Sequence, residues 1–277
     1  MDLDGGTGFD TDFLTEPVHP PNCDPAELLT VDGQVEIRYM HFSLALHTER
    51  RLARWVAWNI DGATRWDGDD ISRDGMRFVP DPRVPDGAQV TDPVYARNRL
   101  DRGHLARRAD LLWGSRAEAQ IANRHSFFFT NITPQMDNFN QSGQNGIWGR
   151  LENGVLAVTG SARVSVLAGP VLAPDDPEYR GAQVPLVFWK VLVYRPTGQH
   201  LRARAFMVTQ SLKGLRAVDP LDEFATYEVT LDELAARTGL GFDQAVIRAA
   251  TAGADPTQVV ALESGPRPVR TLTAIQW

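Results

Sequence analysis

Short segments dense in aromatic and β-branched residues recur along this 277-residue chain, and they dictate a core built on a sheet. The strand-like pattern starts at Val35 and runs to His47. It returns at Arg54-Trp55-Val56-Ala57-Trp58-Asn59-Ile60, Val155 to Gly160, Val164 to Ala168, Leu186 to Tyr194 and Arg204 to Thr209. Ser126-Phe127-Phe128-Phe129-Thr130 reads as one more strand, buried on both sides. Helical patterns lie between them. Arg116 to Arg124 forms a short one, another starts at Ile147, and Thr230 to Gly239 combines a threonine cap, helical apolar spacing and a terminal glycine. With no internal repeat and no linker between two cores, this mixture predicts one α+β domain, a central antiparallel sheet flanked by helices. Two appendages frame it. Residues 1–34 form an irregular arm rich in Gly, Asp and Pro, residues 35–250 the domain, and residues 251–277 a C-terminal extension.

Composition removes several classes of protein. The single cysteine, Cys23, excludes an internal disulfide and any Cys-x-x-Cys zinc site. No window approaches the roughly 18 uninterrupted apolar residues of a membrane span. The acidic opening Met1-Asp2-Leu3-Asp4 lacks the basic start of a secretory signal. A cytoplasmic location, or export by a route without such a signal, is the expectation.

The formal charge of −7 is unevenly distributed. Residues 1–37 hold nine acidic side chains and neither Lys nor Arg, which leaves the remainder slightly basic. Within that remainder Arg97, Arg99, Arg102, Arg107 and Arg108 crowd together, the kind of patch that attracts phosphates. The acidic arm is expected to lie over this patch or to meet a partner, and so to restrain whatever the patch does.

At the centre of the patch lies Asp101-Arg102-Gly103-His104-Leu105-Ala106. A histidine, with an ordinary pKa of about 6.5, can accept a proton at neutral pH, and an arginine presents a planar fork of donors to an anion. The combination points to chemistry on a phosphate. A second polar cluster follows the apolar Phe127-Phe128-Phe129 run: Thr130-Asn131-Ile132-Thr133-Pro134-Gln135, then Asn138-Phe139-Asn140-Gln141, then Trp148-Gly149-Arg150-Leu151-Glu152. Carboxamides and a carboxylate emerging from a buried segment suit a hard divalent ion that keeps much of its water.

Taken in order, these three motifs resemble the DNA/RNA non-specific endonuclease family, which includes Serratia-type nucleases and endonuclease G. Weaker likeness extends over roughly residues 35 to 245. The resemblance implies a ββα-metal (His-Me finger) site set against the antiparallel sheet, and hydrolysis of phosphodiester bonds in DNA and RNA to give 5′-phosphate ends. It implies His104 as general base, Asn140 as the direct ligand of one Mg2+ ion (with Mn2+ or another divalent ion substituting), and Glu152 holding the metal-bound waters. Asn131 and Arg102 would support the site and the substrate, with Arg77, Arg107 and Arg108 on substrate phosphates. Beyond DNA and RNA, the partners it brings into view are a second copy of the chain and an inhibitor or immunity protein; a membrane is not among them.

Two departures from the family pattern leave alternatives open. Ser142-Gly143-Gln144-Asn145-Gly146 lengthens the stretch before Trp148. Counting forward from Asn131 selects Asn140, while counting back from Trp148 selects Gln144, with Asn145 beside it. The family's transition-state arginine falls on Arg73 or Arg77, and spacing to Phe78 favours Arg73. The insertion also admits a second reading, a catalytically impaired nucleic-acid binding protein on the same scaffold.

Overall fold

Every residue from Ala53 to Asp61 is buried, and a strand meets that condition only when both faces of its sheet are covered. The computed structural model describes residues 6–137, 163–212, 225–252 and 267–269, together with positions 151, 154, 157 and 275. In chain order the elements are β1 (Ile37–Tyr39), β2 (Phe42–Leu46), β3 (Ala53–Asp61), β4 (Leu100–His104), α1 (Arg108–Leu111), α2 (Arg116–Ser126) and β5 (Ile132–Met136). After them come β6 (Arg163–Val171), β7 (Glu178–Tyr179), β8 (Ala182–Gln183), β9 (Val187–Tyr194), β10 (Arg202–Thr209), β11 (Ala225–Val229), α3 (Leu231–Thr238), α4 (Gln244–Thr251) and β12 (Arg267–Pro268).

One sheet dominates, in the order β1-β2-β3-β6-β9-β10-β11-β12, with each neighbouring pair antiparallel. Its strands divide their side chains between two cores, as the two-residue period of a strand requires. Val56, Trp58 and Ile60 of β3, with Phe188 and Leu192 of β9, face one core; Trp55 and Ala57, with Trp189, Val191 and Val193, face the other. The first core also receives Leu105, Ala106, Phe128, Phe129, Ile132 and Met136, so the separate β4–β5 ribbon rests on that face of the sheet. The second core is closed by Leu234, Val246 and Ala249 of α3 and α4.

The expected α+β architecture is therefore present, and most strands fall where their composition places them. The segment from Val35 to His47 is a hairpin, because the chain reverses at Met40 and His41, the latter at φ 69°. The Ser126–Thr130 run is not a strand. Phe127 and Phe128 donate their backbone N–H groups to Arg124 O and His125 O, and a 3-10 turn over Phe129–Asn131 follows. Of the strand expected at 155–160, only Ala157 lies within the described residues, and it is helical. The helix start at Ile147 lies outside them. The Thr230 cap is as expected, its hydroxyl accepting from Glu233 N at 3.1 Å, and Gly239 ends α3 at φ 69°, a conformation open to glycine at little cost.

Where it is described, from residue 6 onward, the acidic arm does not cover the arginine patch. Over residues 6–34 its backbone is irregular, as composition indicates, but Phe9, Phe13, Leu14 and Val18 are buried in the second core, across the sheet from β4 and β5. His19 anchors it further, bonding the Asp243 carboxylate that caps α4 at 2.6 Å. The C-terminal extension contributes too: β12 pairs with β11, and Val269 and Ile275 enter the first core. Phe13→Ala should lower the free energy of unfolding by about 3 kcal/mol in a urea titration, the cost of emptying a core site. An arm that acted only as a detachable restraint would show almost no change.

Candidate active site

The Asp101-Arg102-Gly103-His104 segment is strand β4, paired residue by residue with β5: Leu100 with Met136, Asp101 with Gln135, Arg102 with Pro134, Gly103 with Thr133 and His104 with Ile132. Arg102 and His104, two residues apart, therefore share one face of the ribbon. Gly103 is required by close approach. A Cβ there would lie 2.1 Å from Gln135 Oε1 and 2.6 Å from Gln135 Cγ.

Asn131 fastens the end of β4. Its backbone carbonyl accepts from Leu105 N at 2.9 Å, and its Oδ1 accepts from Ala106 N at 2.9 Å. Its Nδ2 donates to Ala106 O at 3.0 Å and to Ser126 O at 3.2 Å. The side chain is fully buried and engaged with backbone, so it acts on the site through the position of the neighbouring chain. Behind it, Tyr39 donates to Asp81 at 2.5 Å and meets the Thr130 hydroxyl at 2.6 Å, and Arg83 closes the Asp81 carboxylate at 2.7 Å. The turn that carries Asn131 is thereby tied to β1 and to the loop after β3.

His104 is half-buried, edge-on to Phe127 at 5.3 Å and tilted against Phe78 at 5.5 Å between ring centroids. Burial first, and then the charges of Arg73 and Arg108, push its pKa down to about 4. The ring is therefore neutral through the physiological range, the state in which it can accept a proton. Its Nε2 is buried and has no hydrogen-bond partner among the described residues.

The arginines sort into tethered and untethered groups. Arg102 sends Nε and Nη2 to Asp92 Oδ1 at 2.9 and 2.5 Å and lies over Phe78 and Tyr95, its guanidinium carbon 5.6 and 5.3 Å from their centroids. Arg99 pairs with Asp137 at 2.9 Å, and Arg107 approaches Asp110 at 3.7 Å. Arg108 bonds Asn123 Oδ1 at 2.6 Å and also Ile71 O. Arg73 and Arg77 are exposed, and neither makes a side-chain hydrogen bond or ion pair among the described residues. Only Arg73 of these two acts on the His104 pKa.

Asn140, Gln144, Asn145 and Glu152 lie outside the described residues. Of the other histidines, His125 is a core residue whose Nδ1 accepts from Met40 N at 3.0 Å, and His41 stacks on Trp113 at 3.5 Å. Sequence reasoning missed Asp92 and Asn123 and used Phe78 only as a spacing mark. Nothing local distinguishes these three, since each acquires its role from a partner at least ten residues away.

The family model for DNA/RNA non-specific endonucleases matches residues 25–249. An uncharacterized protein of Sinorhizobium fredii, y4fB, is 36% identical over 226 residues, which is 75% of this chain but 33% of that longer protein. A nuclease of a Nostoc species is 27% identical over 232 residues, covering 81% of this chain and 78% of its own. Among solved structures, the complex of endonuclease G with its inhibitor EndoGI superposes with a TM-score of 0.62 at 21% identity, covering 78% of this chain and 89% of that one. That last likeness is one of fold.

Replacing Asn131 by Ala strands the N–H and C=O of Ala106 and removes a bond to Ser126 O. Asn131→Ala should therefore destabilise the chain by about 3 kcal/mol in denaturant unfolding, and amide exchange at Leu105 and Ala106 should accelerate in step. Unchanged protection at those two amides would remove the clamp from the account.

Proposed function

The chain belongs to the DNA/RNA non-specific endonuclease family, and from that membership we propose that it cleaves DNA and RNA phosphodiester bonds with little regard to base sequence, using Mg2+ or a substitute such as Mn2+ and leaving 5′-phosphate ends. Members of the family are nucleases that depend on a divalent metal. The observation that supports the reading is His104 set at the end of β4, two residues from Arg102 on the same face of the ribbon and next to the chain that Asn131 fastens at Ala106.

Asn140, with Gln144 or Asn145 as alternatives, would hold the ion, and Glu152 would hold its waters. Carboxamide and carboxylate oxygens of this kind suit a hard divalent ion that keeps much of its water. When bound, the ion offsets charge on the phosphoryl oxygens and the departing 3′ oxygen. The protein's own part follows from the positions above. An imidazole nitrogen of His104 takes the proton of the attacking water as the new P–O bond forms and the bond to the 3′ oxygen breaks. Arg73 stabilises the developing charge, and Arg102, exchanging Asp92 for a phosphate oxygen, orients the strand. Arg77 and Arg107 extend the contact to neighbouring phosphates. Arg108, tethered to Asn123 and Ile71, contributes charge from a fixed position. Asn131 positions His104 and touches no substrate. An inhibitor or immunity protein would act by covering this face.

Supercoiled plasmid and a single-stranded RNA, each incubated with the chain and Mg2+ and with an EDTA control, test the reading. Both should be cut, EDTA should abolish cutting, and His104→Ala should lower the rate about 1,000-fold with folding retained. Binding without cleavage across several divalent ions would favour the impaired-scaffold reading instead. Near-normal turnover in His104→Ala would remove the base assignment.

A further inference from the structure

A cavity of about 590 Å³ opens between the loop at 69–76 and helix α2, and Ile71, Ser72, Met76, Gln120, Asn123 and Arg124 contribute to its lining. It shares a wall with the active site. Asn123 donates to Ser72 O at 3.0 Å on one side and accepts from Arg108 Nε at 2.6 Å on the other, while Arg108 also bonds Ile71 O. The same loop carries Arg73, and Arg73 and Arg108 are the two cations that act on His104.

Most cations around the cavity are engaged within the protein. Arg108 is tethered as described, and Arg116 donates to Asp70 O at 2.9 Å and lies 5.5 Å over the Trp66 ring. Arg124 differs. It is half-buried in the last turn of α2, and among the described residues its side chain has no hydrogen bond or ion pair, although it lines the cavity. A guanidinium presents five donors and a permanent charge, and withdrawing it partly from water without a counter-charge is unfavourable until a ligand completes it. Asp69 and Asp70 also line the cavity, but both are exposed, where solvent and salt screen them.

We propose that this cavity is a subsite for a backbone phosphate of the substrate strand, one that flanks the scissile phosphate, with Arg124 as its ligand. The proposal rests on the nuclease reading and deepens it: the loop 69–76 would serve two phosphates at once, offering Arg73 to the scissile one and a wall of the cavity to its neighbour. Flanking contacts of this kind set affinity and salt dependence without reading sequence.

The test is binding of a fluorescein-labelled single-stranded DNA of about 20 nucleotides, followed by anisotropy in EDTA over a range of salt, so that cleavage plays no part. Arg124→Gln should weaken binding about 10-fold and reduce the slope of log affinity against log salt by about 0.7, the loss of one phosphate contact on a single strand. Arg237→Gln, which removes an equal charge from α3 on the far face of the sheet, should stay within about twofold of wild type. Arg124→Gln behaving like Arg237→Gln would overturn the subsite, and would leave the nuclease reading standing wherever the wild-type chain still cuts DNA with Mg2+. A wild-type chain that binds no oligonucleotide in EDTA would overturn the subsite, and the nuclease reading falls with it only where that chain also fails to cut DNA with Mg2+. Should Arg124→Gln fail to fold, Arg124→Lys keeps the charge without the fork; a weakening of about threefold supports the subsite, and wild-type affinity overturns it.

Discussion

The two-way bond between the Asn131 carboxamide and the backbone of Ala106 is the contact on which the site depends. A strand end is ordinarily the first part of a ribbon to fray, and His104 is the last residue of β4. By closing both polar groups of Ala106 and donating also to Ser126 O, Asn131 continues the ladder past the first residue of β5. The Tyr39–Asp81–Arg83 network then fixes the turn that carries Asn131 to the first core. Precision at one imidazole is thus inherited from the large sheet through a short series of buried, fully bonded polar groups.

The clamp has an electrostatic consequence. Held against Phe78 and Phe127 and within reach of two guanidinium charges, His104 loses its proton far more readily than a solvated histidine. In that position the imidazole is neutral at physiological pH, among guanidinium groups that do not compete for a proton. Arg99, Arg102, Arg107 and Arg108 are each positioned by a carboxylate, carbonyl or carboxamide; the first three face carboxylates that offset their charge, and Arg108 is held by neutral partners.

Much of this was legible in the sequence, for reasons that differ from residue to residue. Strands β3, β9 and β10 announce themselves because both faces are buried and apolar residues predominate along them. Asp101–His104 and Thr130–Gln135 stand out because polar residue types recur there at fixed spacing around a core. The Ser126–Thr130 run misled because three phenylalanines signal burial without signalling backbone geometry, and here the backbone continues the turns of α2. The arm's Asp, Gly and Pro content hid four apolar anchors, Phe9, Phe13, Leu14 and Val18. Asp92, whose carboxylate holds Arg102, and Asn123, which links Arg108 to the loop before it, carry no local signature. Such pairs exist only once the chain has folded.

The central claim joins the clamp to the chemistry: Asn131 holds His104 where it is neutral. The most direct measurement is an NMR titration of the His104 imidazole in the wild-type chain and in Asn131→Ala. The account predicts a wild-type midpoint of about 4, and a midpoint in the variant displaced upward toward the ordinary histidine value of about 6.5 as the strand end becomes solvated. A wild-type His104 that titrates near 6.5, or an identical low midpoint in both proteins, would contradict it.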